Sequence, residues 1–134
     1  MILADTSAWV EFFRRTEGPV DVALSRLLEQ NADLVMSEVV VMELLAGARS
    51  DADRIRLRSH LLALPLLTLQ GLADYEEAAL IYRTCGAAGE TIRSLTDCLI
   101  AVPAIREGAS ILHNDADFDA IARHTSLKVH PWTE

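Results

Sequence analysis

Carboxylates in four separated segments of the chain are the residues whose types suggest chemistry. They are Asp5, Glu43, Asp97 and Asp115, and Asp117 follows closely after the last of them. Two such charges about 5 Å apart, at an effective dielectric constant near 20, repel by roughly 3 kcal/mol, so a cluster requires cations or protons. Carboxylates alone favour a hard cation, Mg²⁺ or its substitute Mn²⁺, and no Cys or His lies at zinc-site spacing. If these acids converge, they predict a Mg²⁺ site.

An alternative interpretation is that the acids only cap helices. An Asp at a helix N-terminus accepts hydrogen bonds from free N–H groups and complements the helix dipole. Asp97 and Asp115 both stand where helices are predicted to begin, so capping alone explains either of them. Glu43 fits less well, because its neighbours are apolar and Glu is almost never buried without a partner. The alternative there is a single solvated position on an amphipathic helix.

The segment from residue 94 to residue 119 must position two of the acids. Ser94 and Asp97 have the spacing of a capping box, which predicts that a helix begins here. Pro103 lies inside that helix, where it should kink or interrupt it. The helix should end at 107–109, before a short apolar strand at 110–112 and a new helix that opens at 114–117. Asp97 then lies in the first turn of a helix, and Asp115 lies just past a strand.

Short apolar strands alternate with helices along the rest of the chain. We predict strands at 2–5, 34–36, 66–69 and 127–129, and helices from the Asp5–Ser7 cap to about residue 15 and at 20–30, 38–48, 51–64 and 73–88. This alternation is typical of βαβ units and of a parallel sheet covered on both faces. Ligands of such sheets bind beyond the carboxyl ends of the strands, where Asp5 and Asp115 both fall.

Length and composition indicate one domain, 1–134, in the cytoplasm. No apolar run approaches the roughly 18 residues of a membrane span, and the N-terminus lacks the basic region of a signal peptide. Cys85 and Cys98 have neither metal-site nor disulfide spacing, which suits a reducing compartment. The net charge of −8 means that any contact with nucleic acid must rest on a local basic patch.

Four motifs carry a resemblance to a known family. They are Leu-x-Asp-Thr-Ser at 3–7, Glu-Leu at 43–44, Thr-Asp-x-Leu-Ile-Ala at 96–101, and Gly-Ala-x-Ile-Leu-x-x-Asp-x-Asp-Phe at 108–118. In combination, and over essentially the whole chain, they resemble the PIN-domain nucleases, most of all the VapC toxins of bacterial VapBC toxin–antitoxin pairs. The resemblance implies a three-layer α/β/α sandwich with a central, mainly parallel sheet.

The resemblance also implies a Mg²⁺-dependent endoribonuclease that cleaves tRNA, rRNA or mRNA with metal-activated water, leaving a 5′-phosphate and a 3′-hydroxyl. The catalytic acids of the family map by motif onto Asp5, Glu43, Asp97 and Asp115. The implied metal ligands are the aspartates of that set, with Asp117 as an auxiliary ligand. The hydroxyl beside the first acid maps onto Thr6 or Ser7, at a substrate-binding position. Arg93 is the first candidate for contact with RNA because it precedes the Asp97 turn.

The first helix and the family resemblance both suggest binding partners. Trp9 and Phe13 are four residues apart and share a face, and we expect Phe13 in the core. The resemblance implies a VapB-like antitoxin that lies in a groove beside this helix and reaches an Arg toward the acids. It also implies a homodimer. The apolar share of 51% agrees with a surface that a partner covers.

Other classes fit less well. A phosphoacceptor receiver domain needs an adjacent acidic pair after its first strand and a Lys at the end of its last, whereas Thr6 follows Asp5 and Lys128 lies within the final strand. An Asp-x-Asp phosphatase is disfavoured because Ser7 occupies the second Asp position. A PIN-fold module that binds without cutting remains an alternative. His113 departs from the Leu-Thr-x-Asp ending usual in the family. When protonated it could contact phosphate, but a place behind the site or on the surface is favoured.

Overall fold

Five parallel strands form the centre of the protein, with the first strand in the middle. The structure is a computed structural model that describes residues 1–132, so residues 133–134 of the predicted domain lie outside the described part. The strands are β1 (Ile2–Ala4), β2 (Leu34–Ser37), β3 (Leu66–Leu67), β4 (Ser110–Leu112) and β5 (Lys128–Val129). Their order is β3-β2-β1-β4-β5, and every neighbouring pair is parallel. This confirms the parallel sheet predicted from the sequence.

Seven helices in the described residues flank this sheet, as the α/β/α interpretation requires. They are α1 (Thr6–Arg14), α2 (Pro19–Glu29), α3 (Glu38–Ala46), α4 (Asp51–Leu61), α5 (Leu72–Ala87), α6 (Leu95–Glu107) and α7 (Ala116–His124). α1 packs on α2, α5 packs on α6, and α7 contacts both α5 and α6. None of the helices within residues 1–132 is long and apolar enough to cross a membrane.

The strand order places a crevice beside β1. The chain leaves β1 toward one edge through β2 and β3, then returns to the other side of β1 as β4. This reversal is a topological switch point, where open α/β sheets bind ligands beyond the strand ends. The backbone N–H of Asp5 donates to the carbonyl of Leu112 at 2.9 Å, so β1 and β4 stay paired up to the crevice. The carboxyl ends of these two strands therefore deliver Asp5 and Asp115 to one place.

The strands are apolar because both faces of the sheet are covered. Leu3, Met36, Ile111 and Leu112 are all fully buried. The central strands of parallel sheets are buried on both sides and so carry continuous hydrophobic runs instead of alternating patterns. Phe118 and Ile121 of α7 and Ile100 of α6 complete the same core. The rigid scaffold thus reaches directly to the segments that carry the acids.

Three expectations about local structure differ from what is observed. Helix α6 begins at Leu95 as predicted, but the capping box does not form, because the Ser94 hydroxyl pairs with the Thr96 hydroxyl at 2.7 Å instead of a backbone N–H. Helix α6 also runs without interruption through Pro103. Its buried face, from Cys98 to Ala104, packs firmly enough to offset the one backbone hydrogen bond that proline removes.

The third difference concerns α1. Trp9 is buried, but Phe13 is 45% exposed and stacks on Trp9 at a centroid distance of 5.7 Å. The prediction that Phe13 belongs to the core is therefore wrong. Phe13 lies in the last turn of α1, one residue before the helix ends at Arg14. Spacing of four residues placed both rings on one face of the helix, but it did not show that this face passes from the core to the surface.

Candidate functional site

Asp5 follows β1 directly and caps α1. Its Oδ2 accepts hydrogen bonds from the backbone N–H of Ser7 at 3.0 Å and from the Ser7 hydroxyl at 2.6 Å. The same hydroxyl oxygen accepts the backbone N–H of Asn114 at 2.9 Å, which ties the end of β1 to the turn after β4. Asp5 Oδ1 is buried and has no hydrogen-bond partner among residues 1–132. Burial raises the pKa of Asp5, and the hydrogen bonds from Ser7 oppose that rise.

Asp115 and Asp117 stand at the start of α7. Asp115 is the N-cap, and its Oδ1 accepts the backbone N–H of Asp117 at 2.9 Å. The two oxygens of Asp117 accept the backbone N–H groups of Arg93 at 3.1 Å and Ser94 at 3.0 Å. Burial alone would raise the pKa of Asp117, but its hydrogen bonds from Arg93, Asp97 and Ser94 outweigh burial and lower it. Asp117 thereby fastens the segment that leads into α6 to the start of α7.

Asp97 lies in the first turn of α6 and faces this pair. Ligand oxygens of Asp97, Asp115 and Asp117 lie within 4.8 Å of one another. Asp97 is buried, and its Oδ2 has no hydrogen-bond partner in the described part of the chain. Burial raises its pKa to about 9, helped by the hydrogen bond with Asp117 and by the charges of Asp5 and Asp115. Without a cation, Asp97 therefore holds a proton at neutral pH and donates it to a hydrogen bond with Asp117.

Glu43 approaches from α3 and is half-buried. Its Oε1 accepts a hydrogen bond from the Thr6 hydroxyl at 2.7 Å. Burial raises the pKa of Glu43; the Thr6 hydrogen bond opposes this, and the charges of Asp5 and Asp115 add to it. Glu43 therefore belongs to the same electrostatic site as the aspartates, although it comes from a helix on the β2 side. Both hydroxyls that follow Asp5 in sequence, those of Thr6 and Ser7, are engaged by carboxylates.

Arg93 covers the outer side of the acids. Its Nη2 lies 3.6 Å from Asp115 Oδ1 and its Nε lies 3.8 Å from Asp117 Oδ1, while 77% of its side chain is exposed. The exposure leaves the guanidinium group accessible to an anion. The structure thus places Arg93 beside the acids, as the sequence position suggested.

His113 is a residue whose role the sequence left open. It is buried at the end of β4, and its Nδ1 accepts the backbone N–H of Asp115 at 3.0 Å. That bond places the ring proton on Nε2, which lies 3.2 Å from Asp119 Oδ1. The ring also contacts Phe118 at a centroid distance of 5.3 Å. His113 therefore lies behind the site and holds the backbone of Asp115, a role that no spacing pattern in the sequence indicates.

These residues fit a hard divalent cation. Three carboxylates share a space small enough for one ion, and all donor atoms are oxygens, as Mg²⁺ and Mn²⁺ prefer. Buried polar atoms nearly always have partners, and Oδ1 of Asp5 and Oδ2 of Asp97, which have none among residues 1–132, are acceptor oxygens that a cation would satisfy. Asp97, Asp115 and Asp117 form the tight group, and Asp5 lies outside it while still acting on the pKa of Asp97.

Comparison with known proteins gives the family. The PIN domain model matches residues 2–124. Ribonuclease VapC11 of Mycobacterium tuberculosis is 50% identical over 129 residues, which cover 96% of this chain and 96% of that protein. This chain belongs to the PIN-domain family, in its VapC group. The PIN domain described here therefore has relatives that are named ribonucleases.

Solved structures share the PIN fold at low identity. VapBC-1 from nontypeable Haemophilus influenzae matches with a TM-score of 0.72 and 23% identity, covering 100% of both chains. VapBC2 from Rickettsia felis, in a structure bound to a promoter DNA fragment, matches with a TM-score of 0.72 and 21% identity, covering 97% of this chain and 98% of that chain. At these identities the likeness establishes the fold of this PIN domain.

Proposed function

We propose that this PIN domain is a Mg²⁺-dependent endoribonuclease, the toxin of a toxin–antitoxin pair. The observation that carries the proposal is the group of Asp97, Asp115 and Asp117 at the switch point of the sheet, with unpartnered oxygens on Asp97 and Asp5. Structural carboxylates are normally satisfied by donors, whereas a metal site in its apo form leaves oxygens without partners. Mn²⁺ should substitute for Mg²⁺ because both prefer oxygen ligands.

Each acid has a distinct task in this proposal. Asp97, Asp115 and Asp117, with Oδ1 of Asp5, would hold the cation. When bound, the cation supplies positive charge to the scissile phosphate and lowers the pKa of an attacking water. Asp97 must release its proton on binding, because carboxylate ligands bind in the deprotonated form. Glu43 has a raised pKa and is oriented by Thr6, which suits it to accept a proton from the attacking water.

Arg93 is proposed to contact the RNA phosphate next to the acids. Its guanidinium group is exposed and lies 3.6 Å from Asp115, so it can move from the carboxylates to an incoming phosphate. Arg is suited to this role because its planar fork of donors matches phosphate geometry. Thr6 and Ser7 are proposed to bind substrate only indirectly, through the carboxylates that they orient.

The partners proposed are a VapB-like antitoxin and a second copy of the chain in the cytoplasm. Both Haemophilus influenzae and Rickettsia felis relatives were solved as VapBC. The exposed apolar side chains of Leu72, Tyr75 and Leu95 on α5 and α6 support a face that another protein covers. Light scattering on the purified protein measures its mass in solution. A monomeric mass at all concentrations would exclude the homodimer.

Total RNA incubated with the protein in Mg²⁺ and in EDTA tests the activity. The wild type should create new 5′-phosphate ends in Mg²⁺ and none in EDTA. Asp97→Asn should abolish cleavage and keep the fold, whereas Glu76→Gln, which removes an exposed carboxylate on α5, should cleave normally. Wild-type cleavage by Asp97→Asn would remove Asp97 from the site. Binding of RNA without cleavage by the wild type would favour a non-cleaving module.

A further inference from the structure

A groove lined by α1, α3, α4 and the turn after α3 adjoins the acids; it is called the α1 groove below. Its volume is about 640 Å³, within the range of about 300–1,000 Å³ typical of ligand sites. Thr6 and Glu43 line it next to the acid cluster, and Phe13, Arg14 and Arg49 belong to the same lining. A molecule in the α1 groove would therefore lie beside the scissile position.

Two arginines in the α1 groove have no partner in the described part of the chain. The side chains of Arg14 and Arg49 form no ion pair or hydrogen bond with any of residues 1–132. Elsewhere Arg93, Arg106 and Arg123 are all engaged by carboxylates. In a protein with a net charge of −8, guanidinium groups without carboxylate partners are available to an external anion.

The acids of the α1 groove are already occupied. Asp53 Oδ1 accepts a hydrogen bond from Arg56 Nη1 at 3.2 Å, and Glu43 Oε1 accepts one from Thr6 at 2.7 Å. Among residues 1–132, neither acid is therefore paired with Arg14 or Arg49. The lining thus presents two guanidinium groups that its own carboxylates do not engage, next to a site whose remaining surface is acidic.

Phe13 adds a flat apolar surface to this charge. It is 45% exposed, and it stacks on Trp9 with an interplanar angle of 27°. Trp9 holds one face of the ring and fixes its orientation, so the exposed part is presented as a rigid platform. Proteins that bind single-stranded nucleic acid combine such aromatic platforms with cationic side chains along the backbone.

We propose that the α1 groove is a subsite for single-stranded RNA, in which Arg14 and Arg49 bind phosphates beside the scissile bond and Phe13 stacks on a base. The inference rests on the proposed ribonuclease function and specifies how the substrate is held. The acid cluster repels the RNA backbone over the Debye length, so cations beside it are needed for RNA to approach. A base can reach Phe13 only when it is unpaired, which selects single-stranded segments over duplex.

Binding of a short, labelled, single-stranded RNA of random sequence tests the subsite. All variants carry Asp97→Asn so that the RNA stays intact, and the affinity is measured by fluorescence anisotropy over a series of salt concentrations. Each phosphate contact contributes about 0.7 to the slope of log affinity against log salt for single strands. Replacing both Arg14 and Arg49 by Gln should lower the magnitude of that slope by about 1.4.

Matched variants separate the contributions. Phe13→Leu should lower the affinity about five-fold or more through lost stacking, and Phe13→Tyr should retain it. Arg83→Gln is the control for the arginines, because Arg83 is also exposed and without an ion-pair partner in the described chain but lies on α5, away from the α1 groove. It should leave affinity and slope unchanged. Melting temperatures confirm that the variants fold.

An unchanged slope and affinity in the Arg14→Gln, Arg49→Gln protein overturns the proposal. Weakened binding of the cognate antitoxin, with RNA binding unaltered, also overturns it and makes the α1 groove a surface for protein alone. Cleavage of total RNA by the protein with native Asp97 is measured in parallel. If it cleaves RNA while the groove variants bind normally, the subsite fails and the ribonuclease function stands; if it does not cleave, the ribonuclease function itself fails.

Discussion

Asp97→Asn should stabilise the protein without metal and make its stability less dependent on pH. Folding raises the pKa of Asp97 from 3.8 to about 9, chiefly through burial. Between these two values the native state holds a proton that the unfolded state has released. The free energy of unfolding therefore falls by about 1.4 kcal/mol for each pH unit across this window. The contribution is fully present below pH 3.8 and is lost as the pH rises toward 9.

The magnitude follows from the position of neutral pH in that window. At pH 7, about three units above the unfolded value, keeping Asp97 protonated costs up to ~4 kcal/mol. Asn is neutral, is close to the same shape, and can donate to Asp117 as the protonated acid does. It removes the cost without removing the contact. Between about pH 6 and pH 8 the wild type should lose roughly 3 kcal/mol relative to the variant.

Urea unfolding of both proteins in EDTA, at several pH values in this range, measures the effect. The two proteins differ only at residue 97, so the contributions of all other ionisable groups cancel in the difference. Glu76→Gln serves as the control, because it removes an exposed carboxylate and should track the wild type. Parallel pH profiles for wild type and Asp97→Asn would refute the reasoning. Mg²⁺ should stabilise the wild type more than the variant, since it binds the deprotonated site of the folded state only.

Three further predictions test other parts of the site. Asp5→Asn and Asp115→Asn should melt at or above the wild type in EDTA, because Asn keeps the helix caps while relieving repulsion between the carboxylates, and Mg²⁺ should raise their melting temperatures less than that of the wild type. Clear destabilisation of both variants, with no Mg²⁺ effect on the wild type, would contradict the convergence of the acids at one site. His113→Ala should weaken Mn²⁺ binding about ten-fold or more, as measured by calorimetry, whereas His113→Asn should retain it because the amide oxygen can accept the Asp115 N–H. Equal loss of Mn²⁺ affinity in both variants would indicate that His113 acts only through packing. Glu90 accepts hydrogen bonds from Arg123 and is hydrogen-bonded to His124, and these bonds lower its pKa to about 2. The stability advantage of the wild type over Glu90→Gln should therefore vanish as the pH falls from 4.5 to about 2. Thermal melts that show the same advantage at every pH would exclude this linkage.

The order of elements and the edge of the sheet where the candidate acids lie were predictable from the sequence. Short apolar runs such as 110–112 indicate strands that are buried on both faces of a sheet. Because parallel strands end at one edge of a sheet, Asp5 and Asp115 were predicted to meet, and the structure places them just past the carboxyl ends of the neighbouring strands β1 and β4. Each of these inferences uses local periodicity and a general rule of topology, and neither depends on the details of packing.

Contacts between distant segments were decided by the tertiary structure. The hydrogen bonds from Arg93 and Ser94 to Asp117 and from Asn114 to Ser7 join residues far apart in the chain, and no spacing records them. The same holds for Arg14 and Arg49, whose guanidinium groups have no carboxylate partner among residues 1–132, since only the fold shows which arginines are paired.

Burial and protonation also depend on the assembled structure. Asp97 and Asp115 both stand at helix starts and look alike in sequence, yet the fold buries Asp97 against Asp117 and leaves 28% of the Asp115 side chain exposed beside Arg93. Burial raises the pKa of Asp97 to about 9. Phe13 was assigned to the core by its spacing from Trp9, but it is exposed. Spacing shows which face of a helix a side chain lies on, but not how far the neighbouring elements cover that face. Desolvation is set by every surrounding atom, and those atoms come from segments that the local sequence does not contain.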